Sequence, residues 1–175
     1  MLLRRTTREQ ALKLFPKFID RYPDTGLLAA APLSQIRKIL RPLGLVNARS
    51  RDLKRAAVIL STRDGFPSTL EELRQIPGVG SYTAATVLCI AFGMDFPMID
   101  VNSTRVLSRI CEGRNDVGQR RVAELFRQVG RGDVRELNLA LLDFAHYICT
   151  ARDPKCSICP VKQRCRYYKD ALGPG

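Results

Sequence analysis

Residues 68–92 read STLEELRQIPGVGSYTAATVLCIAF. Two helix-forming stretches flank the turn Ile76-Pro77-Gly78-Val79-Gly80. Ser68 and Glu71 fit a capping box for the first helix, and Pro77 ends it. Gly78 and Gly80 permit positive φ and the close approach of another backbone. The amides from Val79 to Tyr82 then open the second helix with its positive dipole end exposed. Such a turn offers main-chain N–H donors to a phosphate regardless of base sequence, which makes Gly78, Val79, Gly80 and Ser81 candidate DNA contacts. Taken alone, the same stretch also reads as a plain αα-hairpin with no ligand.

Outward from the hairpin, apolar residues recur at helical spacing. They include Leu12, Phe15, Phe18, Ile19 and Tyr22; Ile36, Ile39, Leu40 and Leu43; and Val122, Leu125, Phe126 and Val129. Glycines and prolines punctuate these runs, and no stretch alternates at period two, so the expected fold is all-α, short helices joined by short loops. The 175 residues suit a single core, and 45% hydrophobic against 26% charged residues excludes a disordered or collagen-like chain. Lysine and arginine number 29 against 17 acidic residues, a net charge of +12 that calls for an anionic partner, nucleic acid first. No apolar run reaches the roughly 18 residues of a membrane span, and no signal peptide is evident, so a soluble cytoplasmic protein, associated with the nucleoid, is expected.

Chemistry concentrates in two places. Cys149, Cys156, Cys159 and Cys165 form C-x6-C-x2-C-x5-C in a tail with few aliphatic residues, which needs a metal centre to hold it together. Structural zinc sites usually use two tight cysteine pairs. Only one tight pair is present here, so the spacing favours a [4Fe-4S] cluster, with zinc the alternative. Cys89 and Cys111 read as small buried hydrophobes, and His146 as a structural histidine beside a complete ligand set. In MIDVNSTRVLSRI (residues 98–110), Asp100 precedes a helix. Asp100 or Asn102 serves as its cap, and a carboxylate there also suits a site that stabilises a nascent sugar cation.

In order, LLRRTT, GLVNARS, IPGVGSYTA, IDVNSTRV and the cysteine tail resemble the helix-hairpin-helix DNA glycosylase superfamily that includes endonuclease III. The resemblance covers nearly the whole chain and is strongest to the mismatch-specific thymine or uracil glycosylases, with adenine glycosylases next. It implies double-stranded DNA carrying a mismatched or damaged base as partner, a monomer, and flipping of the target nucleotide out of the stack. Asp100 and Tyr82 become the catalytic candidates, and Arg5 and Leu45 the wedge residues that fill the gap. Strand-cleaving members carry a Schiff-base lysine where this chain has Tyr82, which implies base removal without strand cleavage. Leu3 to Thr6 read LRRT rather than the LQQT of adenine glycosylases, and the chain stops ten residues after Cys165 without their recognition domain.

The resemblance also implies an N-terminal helix with a site glutamate two residues before the position of Leu2, which falls ahead of Met1. The expected organisation is a helical domain over 1–148 holding hairpin and catalytic site, followed by a cluster loop and tail over 149–175. Two further readings remain: an adenine glycosylase acting opposite 8-oxoguanine, and a catalytically weak DNA-binding protein of the same fold.

Overall fold

The structure, a computed structural model, describes Leu2, residues 6–130 and residues 132–171. Its regular elements among these residues are all helical, with no strand. They are α1 (Arg8–Arg21), α2 (Thr25–Ala30), α3 (Leu33–Leu40), α4 (Val46–Ser61), α5 (Leu70–Arg74), α6 (Ser81–Ile90), α7 (Val101–Glu112), α8 (Gln119–Val129), α9 (Val134–Tyr147) and α10 (Arg166–Ala171). Short 3₁₀ turns lie at Arg41–Leu43, Cys156–Ile158 and Lys162–Arg164. The chain forms two compact units, Met1–Ala84 and Ala85–Gly175, so the division falls inside α6.

In the first unit α2 and α3 pack on α4. Leu14, Phe18, Tyr22, Ile36, Leu40, Leu43 and Leu53 build its core, with Phe18 and Tyr22 edge to face at 5.3 Å between ring centres. The apolar face read for α1 is split by this packing. Phe18 and Tyr22 are buried with Ala11 and Leu14, one helical row, while Leu12, Phe15 and Ile19 lie on the outer side and are exposed. Periodicity alone could not separate the rows, because apolar residues occupy both.

The cap of α5 also sits one residue later than Ser68 and Glu71. Thr69 is the N-cap; its hydroxyl accepts from the Glu72 amide at 3.2 Å, and Glu72 Oε2 accepts from the Ser68 amide at 3.3 Å. Arg63 donates to Glu72 Oε1 at 2.5 Å, and this hydrogen bond, with that from Thr69, holds the Glu72 carboxyl below the usual range. The register of the salt bridge selects Glu72 over its neighbour. The helix is over at Arg74, ahead of Pro77.

In the second unit α7 packs against α8, α9 and α10. Val106, Leu107, Val122, Leu125, Phe126, Leu141 and Ala145 form the core, and Cys149 is buried among them. Gly113 ends α7 in the left-handed region at φ +69°, its amide bonding back to Arg109 O and the Arg114 amide to Ser108 O. A Cβ there would meet only the movable end of the Asp170 side chain closely, so it is the positive φ that calls for glycine. Cys89 is buried as expected, whereas Cys111 is only partly so.

Thr69→Ala should therefore lower stability by about 1 kcal/mol, and Ser68→Ala by no more than a few tenths, measured as shifts in urea midpoint. Equal losses would put the cap back at Ser68.

Candidate DNA interface, catalytic site and cluster loop

The hairpin has the form its sequence suggests. Gly78 takes φ +80°, and the Val79 amide closes a tight turn on Ile76 O at 3.0 Å. Gly80 does not adopt positive φ, contrary to the reading of both glycines. A Cβ on Gly80 would meet nothing within 4 Å, so its smallness serves no contact inside the protein and leaves the turn open on its outer side. Gly78, Val79, Gly80, Tyr82 and Thr83 line a surface hollow there. The first amides of α6 have no intrahelical acceptors and open this hollow to an anion. Ser81 is exposed and begins the helix; Tyr82 is half-buried beside it.

Leu45 caps α4 in the left-handed region at φ 45°, ψ 31°, and is exposed. A branched side chain held there stores roughly 1–3 kcal/mol of backbone strain, which surrounding bonds must offset. Arg49 supplies them. Its buried guanidinium donates to Leu43 O at 2.9 Å, to Gly44 O at 2.6 Å and to Thr6 Oγ1 at 2.9 Å, while Thr6 Oγ1 donates to Leu43 O. One cation thus ties the loop carrying Leu45 to the segment that follows Arg5. Arg5 itself lies outside the described residues.

Asp100 is the N-cap of α7. Its Oδ1 accepts from the amides of Asn102 (2.8 Å) and Ser103 (2.9 Å), and Oδ2 from Asn102 Nδ2 at 2.9 Å. The Asp100 amide returns a bond to Ser103 Oγ at 2.9 Å, completing a capping box with serine in the usual place of glutamate. Asp100 rather than Asn102 is the cap. The two amides and the Asn102 side chain fix the half-buried carboxylate in one orientation, with Ser103 Oγ 3.3 Å from Oδ1, so the capping that holds the group also aims it.

From Asp100 the hydrogen bonds continue along α7. Arg105 donates to Asn102 Oδ1 at 3.2 Å, to Cys149 O at 3.0 Å and to Ala145 O at 3.2 Å, and so caps the end of α9. One turn on, Arg109 is buried; it donates to Thr150 O (2.7 Å), Ala151 O (2.9 Å), Asn115 Oδ1 (2.7 Å) and Cys149 Sγ (3.5 Å). Its guanidinium lies over the Tyr167 ring, 4.8 Å from the centre. Arg49, Arg105 and Arg109 were not singled out by the sequence. A hint was available for the last two, since Asn102, Arg105 and Arg109 stand at i, i+3 and i+7 on one face.

The four tail cysteines line one pocket, walled also by Arg109, Ile148, Pro154 and Tyr167. Two 3₁₀ turns deliver them: the Cys159 amide bonds to Cys156 O, and the Cys165 amide to Lys162 O. All are free thiols. Among the described residues no three His, Cys, Asp or Glu side chains converge on one ion-sized point. A single zinc requires its sulfurs at about 2.3 Å from one centre, whereas a cubane gives each thiolate its own iron at a separate corner. The donors present fit the larger group. Burial pushes the Cys156 and Cys159 thiols up, so metal binding there must displace protons. His146 is exposed, edge to face with Tyr147, and does not line the pocket.

Residues 1–131 match the family model of the HhH-GPD superfamily of base excision DNA repair proteins. The chain belongs to that superfamily. It is a DNA glycosylase. Residues 149–165, which begin and end on cysteine, match the iron–sulfur binding domain of endonuclease III, and the cofactor is an iron–sulfur cluster. A thymine-DNA glycosylase of Aeropyrum pernix is 35% identical over 97% of this chain and 80% of its own length. A thymine/uracil-DNA glycosylase of Methanothermobacter thermautotrophicus is 36% identical over 97% of this chain and 79% of its own. Among solved structures, that of a thermostable thymine-DNA glycosylase superposes with a TM-score of 0.87 at 34% identity, covering 97% of this chain and 81% of that one. No described helix is long and apolar enough to cross a membrane.

Arg109→Ala removes the donor to two part-buried carbonyl bonds and to Cys149 and leaves a cavity where a buried side chain stood. It should cost about 2–3 kcal/mol and lower iron per purified chain, read by urea unfolding and iron assay. Cys89→Ala should leave iron content unchanged.

Proposed function

We propose that this glycosylase hydrolyses the N-glycosidic bond of thymine or uracil mispaired with guanine and does not cleave the strand. The observation that carries the reading is the Asp100 carboxylate, aimed at the start of α7 by Asn102 and Ser103. The relatives' names supply the base: two of them, 35% and 36% identical, are named thymine-DNA glycosylase and thymine/uracil-DNA glycosylase.

The net charge of +12 and the open turn at Gly78 to Ser81 bring the duplex in through its phosphates. Leu45, exposed on its braced loop, enters the stack together with Arg5 and fills the space left by the flipped nucleotide. As the bond from C1′ to the base nitrogen breaks, its electron pair leaves with the base and the sugar becomes cationic. Asp100 stabilises that cation, orients the attacking water and accepts its proton. Tyr82 lines the pocket against base or sugar. It stands where strand-cleaving members place lysine and has no amine to form a Schiff base.

Cys149, Cys156, Cys159 and Cys165 hold the cluster as a [4Fe-4S] cubane, which cross-links the tail at four points. The protein acts as a monomer on double-stranded DNA.

Single-turnover assays on G·T and G·U duplexes, with alkali added afterwards, should show base release, and the same reactions without alkali should leave the strand intact. Asp100→Asn keeps the cap but removes the negative charge, so release should fall on the order of 10² or more while binding persists. Borohydride should trap no covalent adduct. Release by Asp100→Asn at the wild-type rate, or strong trapping, would overturn the assignment; release of adenine opposite 8-oxoguanine alone would move the enzyme to the adenine branch.

A further inference from the structure

The segment from Ala91 to Asp100 has no regular secondary structure, yet it sets where Asp100 begins α7. One buried side chain from another helix takes up its peptide groups. Asn138, on α9, is 2% exposed; its Oδ1 accepts from the Met98 amide at 2.7 Å, and its Nδ2 donates to Phe96 O at 2.9 Å and lies 3.2 Å from Cys89 Sγ. Every hydrogen-bonding position of the amide that matters is used, and its orientation is dictated: a flip would set Nδ2 against an N–H and Oδ1 against a carbonyl. On the other side of the same residue, Ser103 Oγ donates to Met98 O at 3.1 Å and accepts from the Asp100 amide. Met98, itself buried, is therefore gripped at its N–H by α9 and at its carbonyl by α7, two residues before the carboxylate.

We infer that Asn138 is a positioning residue for base excision: with Ser103 it latches Met98 and so fixes the approach of Asp100 to the sugar. This rests on the reading of Asp100 above. A buried asparagine is a poor source of net stability, because its bonds replace bonds to water. What it supplies here is the pairing that an extended segment would otherwise obtain from a neighbouring strand, at Phe96 O and the Met98 amide, just ahead of the catalytic side chain. Cys89 completes the socket, which accounts for a fully buried thiol outside the cluster set.

The test uses the full-length, cluster-loaded protein. Asn138→Ala removes both backbone bonds. Asn138→Asp keeps the size and the acceptor for Met98 but turns an oxygen towards Phe96 O. Ser103→Ala releases the other grip.

Single-turnover release from a G·U duplex at saturating enzyme should fall about ten- to a hundredfold in each variant, as expected for a shift of the reacting group by about an ångström. The dissociation constant for the duplex should change by less than about threefold, and iron content should hold. Because both grips hold one residue, Asn138→Ala with Ser103→Ala should fall by less than the product of the single losses.

Wild-type release rates in folded, iron-loaded Asn138→Asp and Asn138→Ala, with only a lower melting temperature, would overturn the proposal and leave Asn138 a packing residue. If Asn138→Ala does not fold, Asn138→Asp and Ser103→Ala carry the same comparison. Asp100→Asn run in parallel separates the two claims. If it is inactive while the latch variants are normal, only the latch falls; if it is fully active, both fall.

Discussion

A single buried guanidinium, that of Arg109, holds the cysteine tail against the helices. The tail's own sequence is too polar to bury itself, and its carbonyls at Thr150 and Ala151 both turn to this donor. Arg109 satisfies both, contacts Cys149 Sγ and stacks on Tyr167, so the same charge is paired by carbonyl oxygens, a sulfur and an aromatic face. A lysine could not reproduce this, since the bonds diverge from a planar fork. The cysteine pocket therefore extends the core in which Cys149 is buried.

α7 is the element through which the proposed catalytic carboxylate and the cysteine tail share a frame. Its first residues aim Asp100, its middle presents Arg105 to the end of α9, and its last turn presents Arg109 to the tail. Gly113 then ends it under α10. A helix transmits position well because its hydrogen bonds leave little freedom between turns. Asn138 reaches the segment ahead of α7 from α9, so both approaches to Asp100 are held by helices rather than by loop contacts alone.

The first unit solves a different problem, holding a strained side chain on the surface. Leu45 has left-handed backbone angles without being glycine or asparagine, and the buried Arg49 bonds at Leu43, Gly44 and Thr6 hold it there. The cost is met by electrostatics inside the protein, which leaves the leucine free to be apolar and outward. The hairpin does the reverse. It exposes backbone rather than side chain, and Gly80 is small for the sake of what lies outside the turn.

Much of this was legible in one dimension. Helical spacing of apolar residues determined the all-α class, because a period of 3.6 cannot be satisfied by strands. The turn at Pro77-Gly78 was legible because few residues accept its backbone, and the tail because four thiols at 6-2-5 spacing have little else to do. Asp100 could be read as both cap and candidate catalyst, since both roles ask for a carboxylate at a helix start. What only tertiary structure decided was which of several chemically equivalent residues is used. Thr69 caps α5 instead of Ser68 because Glu72 meets Arg63; Leu14 and Phe18 turn inward on α1 while Phe15 does not, because one row faces the helices beside it. Arg49, Arg105, Arg109 and Asn138 looked like ordinary polar residues in a basic, helical chain. Their importance comes from bonds to backbone groups as many as 44 positions away, and no local pattern in a sequence records which distant carbonyl will need a donor.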